Sequence, residues 1–133
     1  MTWMRIRLEL ARDPNFPEGS HRHGYEFILP LDRAGRLDAE TYRKTPELCT
    51  VRRFWDGSDD LVGTLHHAGR ERWTFSYHLG EMDEEPIPHF ANHRFREGEY
   101  LAVREPDGSE HTFRIALVVP APGLAFRVAS SEK

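Results

Sequence analysis

His21 and His23 stand one residue apart in GSHRHGYEF, directly before an aromatic run that alternates like a strand. Side chains two apart on an extended chain share a face, so both imidazoles could ligate one ion. A divalent transition metal accepts imidazole and carboxylate ligands and can keep a position open for chemistry. His89 and His93 lie four apart and would share a face if a helical turn forms there. The metal set expected on this reading is His21, His23 and His89. The plainer reading makes His21 and His23 the polar approach to a buried strand, because histidines at strand ends are ordinary rim residues.

A second constellation lies in residues 80 to 98, GEMDEEPIPHFANHRFREG, the longest stretch without an obvious element. Loops of that length in a compact domain are usually functional or disordered. His23, His67 and His111 have core-side parity on their strands. The expected ligand-binding set is therefore His89, Asn92, His93 and His111, gathered near a barrel mouth.

Other chemistry finds less support. Of 18 basic residues 16 are Arg, and Lys44 and Lys133 lie on a helix surface and at the last position, so a catalytic lysine is nearly excluded. Cys49 is the single cysteine and begins a strand on an apolar face, where a buried inert thiol is the default. The acidic run Glu81, Asp83, Glu84 and Glu85 lacks the alternating oxygen ligands and fixed glycine of an EF-hand and reads as a solvated loop. Dinucleotide, Walker A, nucleophile-elbow and zincin signatures are all absent.

The elements that must position these residues are strands. Residues 2 to 10, TWMRIRLEL, alternate with Met4, Ile6, Leu8 and Leu10 on one face. Tyr25, Phe27, Leu29 and Leu31 share a face in residues 24 to 31, where Pro30 is expected to end the strand or mark an edge or bulge. Asp38 reads as the N-cap of a helix over about residues 39 to 44, with Leu37 and Tyr42 as its staple and Pro46 as its stop. Further strands are expected at about 49 to 55, 61 to 67, 71 to 79, 99 to 105, 109 to 119 and 124 to 128.

Two hairpins have a definite register by parity. A loop of Pro106, Asp107 and Gly108 pairs Glu105 with Ser109, Val103 with His111 and Leu101 with Phe113. A loop of Ala68, Gly69 and Arg70 sets Leu65 opposite Trp73, Gly63 opposite Phe75 and Leu61 opposite Tyr77.

Bulk properties agree with a small β protein. The 133 residues fit one domain, expected as a β-barrel over 1–129 with a flexible C-terminal tail at 130–133. The chain has 8 Phe, 3 Trp and 4 Tyr, enough for a sizeable core although only 38% of residues are hydrophobic. Net charge is −4 with both signs interspersed, which disfavours nonspecific nucleic-acid binding. Trp3 beside Arg5 and Arg7 could stack bases, but the same charge balance opposes it. No apolar run reaches the roughly 20 residues of a bilayer span, and a lone cysteine removes the disulfide-stapled class, so a cytoplasmic protein is expected.

His21, His23 and Glu26, with Gly80, Pro86, His89 and Asn92 further on, resemble the two cupin motifs, in which a strand H-x-H and a following Glu join a later His around a metal. Glu26 follows His23 sooner than in that family, which places it on the opposite strand face. Arg52, Arg53, Asp56 and Ser58 are similar in type to residues of the PilZ family, β-barrels that bind a cyclic dinucleotide. That family needs R-x-x-x-R, and no two arginines here are four apart, so the pair reads as an Arg-rich outer strand face. Along its length, through RHGYEF, VRRFW, GEY and HTFR, the chain resembles small bacterial conserved proteins to which no activity is assigned.

The expectation is a mainly all-β, antiparallel β-barrel of about seven strands with one short helix. Its function is expected to be that of a noncatalytic binding or accessory module for a small ligand or protein partner. The alternative is a metal-dependent, cupin-like enzyme built on the histidines. A homodimer would form by sheet extension at an unpaired edge, placed at the strand ending at Pro30.

Overall fold

Side chains that alternate between core and solvent generate most of what this chain becomes. The computed structural model describes residues 1–67, 72–77, 86–105 and 107–121. The strands are β1 (Thr2–Leu10), β2 (Ser20–Leu31), β3 (Thr50–Trp55), β4 (Leu61–His67), β5 (Trp73–Tyr77), β6 (Tyr100–Arg104) and β7 (Glu110–Pro120). They form one antiparallel sheet in the order β5-β4-β3-β2-β1-β7-β6, curled into a half-barrel. One short helix, α1 (Ala39–Lys44), follows β2. This is the mainly antiparallel all-β architecture with one helix that the alternation predicts. The expected strand at 124 to 128 and the tail at 130–133 lie outside the described residues, as do residues 80 to 85 of the long connection.

The concave face holds the core. Ile6, Leu8, Tyr25, Phe27, Leu29, Val51, Phe75, Val103, Phe113 and Ile115 are all buried. Tyr25, Phe27, Phe75, Phe90 and Phe113 form a ring network with neighbouring centroids 5.5 to 6.2 Å apart. Burying each ring contributes on the order of 2 to 3 kcal/mol before any ring–ring preference. On the convex face, the Arg7 and Arg52 guanidiniums lie 4.3 and 5.0 Å from the centre of the Phe54 ring, while Glu26 meets Arg5, Arg7 and Arg52.

Pro30 corrects one expectation. β2 is an interior strand that runs through Pro30 to Leu31, with Pro30 opposite Trp3 of β1. A proline is tolerated there because β3 reaches only to Ile28, so no second neighbour requires its missing N–H. Its carbonyl accepts the Asp38 N–H at 2.9 Å, leading the chain into the helix. Asp38 caps that helix by accepting from the Thr41 N–H at 3.3 Å, and Leu37 and Tyr42 are buried together as the staple predicts. The outermost strands are β5 and β6, so the dimer expected through the strand ending at Pro30 loses its edge.

The β6–β7 hairpin has the expected register, with Leu101, Val103 and Arg104 opposite Phe113, His111 and Glu110. Gly108 closes its turn at φ 89°, a conformation that side chains with a Cβ rarely adopt. The β4–β5 hairpin differs from expectation by two residues: Gly63, Leu65 and His67 face Tyr77, Phe75 and Trp73. A shift of two preserves every face, so parity cannot detect it. The observed register stacks His67 flat on Trp73, with centroids 4.3 Å apart and an interplanar angle of 10°. The Tyr42 hydroxyl locks the same spot, donating to the Leu65 carbonyl and accepting from the His67 N–H at 3.1 Å each.

The described part of the 80 to 98 segment packs inward. Ile87, Phe90 and Phe95 are buried, the Pro86 carbonyl accepts from the Arg104 N–H on β6, and the Phe95 N–H bonds to Gly35. Among the described residues, no helix is long and apolar enough to cross a membrane.

Gly63 gives a stability test. A Cβ there would lie 1.9 Å from the Ser76 carbonyl oxygen and 2.8 Å from Tyr77 Cα, both backbone atoms that cannot swing away. Gly63→Ala is expected to destabilise the protein by about 3 kcal/mol in urea unfolding, near the upper end for overpacking. A loss below about 0.5 kcal/mol, the range of an ordinary surface substitution, would refute this β4–β5 approach.

Candidate functional site

The mouth of the half-barrel is shaped by an interruption between β1 and β2. Glu9 pairs with Gly24 but Leu10 pairs with Ser20, so residues 21 to 23 are extra on β2. The bulge separates the two histidines. His21 is exposed, with its carbonyl accepting from Arg7, whereas His23 is buried. The two-apart spacing therefore does not translate into a shared face. His23 packs against Phe16 and the edge of Trp55, with both centroids at 4.5 Å, and its Nδ1 lies 2.7 Å from the Ser20 hydroxyl.

Opposite His23 on β3 stands Trp55, and two residues back along the same inner face is Arg53. The expectation of an outer face for both arginines holds only for Arg52, which pairs with Glu26 and Asp60. Arg53 crosses the inside of the curl, its Nε donating to Glu105 Oε2 at 2.9 Å, with its guanidinium carbon 4.4 Å from the Trp55 ring centre. Glu105 extends the inward parity of Leu101 and Val103, held at the mouth by its own N–H to the Ser109 carbonyl. The Tyr25 hydroxyl donates to the same Oε2 at 2.5 Å.

Glu105 is only 3% exposed, and its Oε1 has no hydrogen-bond partner among the described residues. Burial and the adjacent Glu105 charge push the Tyr25 hydroxyl far above its ordinary value, so it stays a donor. Burial works against the Arg53 charge, but the hydrogen bond and charge of Glu105 more than restore it, and the net shift is upward. Among the described residues, a buried carboxylate thus carries two donors on one oxygen and none on the other.

These groups line an open cleft of about 340 Å³ between two turns: Arg53, Trp55, Ser58, Asp59 and Leu61 on one side, and Glu105, Asp107, Ser109 and His111 on the other. His111 is half-buried, with Nδ1 3.0 Å from Asp13 Oδ2 and its ring tilted against Trp55. Asp107 accepts from both the Ser109 hydroxyl and N–H, which hold it below the ordinary carboxylate range.

Of the sequence-predicted ligand residues, His111 lines this cleft and the others lie elsewhere. His89 is exposed in a left-handed conformation at φ 55°. Asn92 is exposed, and its carbonyl accepts from Arg36. His93 packs on Phe95 at 5.1 Å, while His111 packs on Trp55 and Phe113, so the two histidines occupy different neighbourhoods. Among the described residues, no three His, Cys, Asp or Glu side chains converge as metal ligands. Glu26, the carboxylate of the cupin-like pattern, faces arginines on the convex side. Cys49 is fully buried, and burial pushes its thiol up to about 12, far from a reactive thiolate.

Arg53, Glu105 and Tyr25 were missed in the sequence, although a signal existed. Arg53 shares parity with Val51, and Glu105 with Val103, so opposite charges fall on inner faces of two strands. Comparison with protein-family models, curated proteins and solved structures finds no match to this chain.

The pairing predicts strong coupling. Glu105→Leu leaves a half-buried guanidinium and a buried hydroxyl unpaired and is expected to cost about 3 to 5 kcal/mol. Adding Arg53→Met is expected to recover at least about 1 kcal/mol in urea unfolding, because the stranded charge is gone. Simple addition of the two losses would contradict a direct pair.

The buried imidazoles predict a pH dependence. Burial lowers His23 below the ordinary 6.5, with Asp56 opposing and Arg53 reinforcing; burial also lowers His93, with Glu99 opposing. The unfolded chain then binds these protons first, so stability is full above 6.5 and falls as pH drops through 6.5 toward the native values. Asp13, Asp32 and Asp107 are lowered from 3.8, so their contribution is lost only in a separate, more acid window. The urea midpoint is expected to fall between about pH 7 and 5, and to fall less in a His23→Phe, His93→Phe double variant. An identical decline in both proteins would remove these rings as its cause.

Proposed function

We propose that this chain is a noncatalytic binding module whose barrel-mouth cleft takes a small soluble ligand. The observation that carries the reading is the Glu105 carboxylate, set at the cleft by Tyr25 and Arg53 with one oxygen unpaired among the described residues. Small-molecule sites combine apolar walls with a few fixed polar groups, and their volumes begin at about 300 Å³. Trp55 and Leu61 supply such walls here, in a cleft of about 340 Å³. Its walls belong to strand ends and tight turns.

Support for a noncatalytic role comes from the Ser109 hydroxyl and the thiol. The Ser109 hydroxyl is committed to Asp107, and Cys49 is buried away from the mouth, so neither forms a nucleophile–base pair with His111. The reading includes a cytoplasmic location, supported by the single cysteine and the lack of a long apolar run in the sequence.

The test is a fragment library titrated into 15N-labelled protein at millimolar concentration. The Trp55 indole N–H and Arg53 Nε–H resonances are expected to shift with a subset of fragments while the Trp73 indole stays fixed. A library that leaves Trp55 and Arg53 unmoved, or that acts only elsewhere, would refute the cleft as a ligand site.

A further inference from the structure

We infer that the cleft selects a small organic cation, a protonated amine carried on an apolar body. This deepens the small-ligand reading and rests on it. Three carboxylates line the cleft, Asp59, Glu105 and Asp107, against one guanidinium, Arg53. That guanidinium is already paired with Glu105 at 2.9 Å. Asp13, outside the lining, is paired with His111 Nδ1 at 3.0 Å and is not one of the three. A ligand entering from water therefore meets a surplus of negative charge, which attracts cations and repels anions.

An independent observation asks for a donor. Glu105 lines the cleft and is 3% exposed, yet Oε1 has no hydrogen-bond partner among the described residues. Leaving a buried acceptor unmade is unfavourable, and a ligand N–H that seats against Glu105 deeply enough to reach the covered Oε1 would complete it where an anion could not. An ammonium group brings the donor and the compensating charge together.

The form of the cation follows from the spread of the carboxylates. A bare divalent ion needs several oxygens on one point, and among the described residues no three ligating side chains converge. Carboxylates placed on opposite walls, with Trp55 and Leu61 also lining the cleft, suit an ammonium on a hydrocarbon body several ångströms long.

Three probes of matched shape test the inference: 2-phenylethylammonium, 2-phenylethanol and phenylacetate, each titrated while following the Trp55 indole N–H. The ammonium is expected to bind about tenfold tighter than the alcohol or more, and phenylacetate weakest of the three. Asp59→Asn, on an exposed turn where folding is not at stake, is expected to weaken the ammonium several-fold and leave the alcohol unchanged. Raising salt is expected to weaken the ammonium alone. Equal binding of ammonium and alcohol, tighter binding of phenylacetate, or an ammonium response that spares Trp55 would overturn the inference. If fragments of the wider library still shift Trp55 in those cases, the cleft remains a ligand site and only its cation preference is lost. If none does, both readings fall together.

Discussion

A carboxylate almost shut off from water needs donors, and supplying two of them to one oxygen of Glu105 organises the barrel mouth. Tyr25 and Arg53 are register partners on β2 and β3, and Glu105 follows β6 at the far end of the strand order, so their hydrogen bonds tie that end to strands with which it shares no ladder. An open curl needs such a tie because its outermost strands, β5 and β6, are not paired with each other. Removing one member leaves a buried charge or hydroxyl stranded, whereas replacing the set with apolar groups would leave none.

Below this polar layer the molecule is held by shape. The rings of Tyr25, Phe27, Phe75, Phe90 and Phe113 contact one another across strands that are distant in sequence. Phe90 and Phe95 come from outside the sheet, and the segment that carries them docks on the β6 edge through Pro86. A long connection with histidines and carboxylates thus uses its described part as a plug. The chemistry gathers instead at the opposing pair of tight turns, where backbone hydrogen bonds hold short polar side chains in place.

The histidines illustrate how spacing can mislead. H-x-H implies a common face only on a regular strand, and the bulge at residues 21 to 23 breaks that regularity. His23 becomes part of the aromatic wall behind Trp55, and His21 stays in solvent. The residues that matter at the cleft were visible as parity: an arginine and a glutamate on faces otherwise filled by Val51, Trp55, Leu101 and Val103. Polar residues at inward positions read easily as strand ends or turns, because one sequence does not show that their partners lie across the barrel.

Period-two alternation, turn chemistry and capping residues by themselves determined the seven described strands, the short helix after β2, the β6–β7 register and the burial of Tyr25, Phe27 and Phe113. Each of these is a local property, since a side chain's face follows from its own backbone and a turn from its own few residues. Only the tertiary structure decided the order of strands, the two-residue offset of β4 on β5, the splitting of His21 from His23, and the meeting of Arg53 with Glu105. Those depend on contacts 52 residues apart or on shifts that conserve parity, and nothing in the local pattern distinguishes one such arrangement from another until the core is packed.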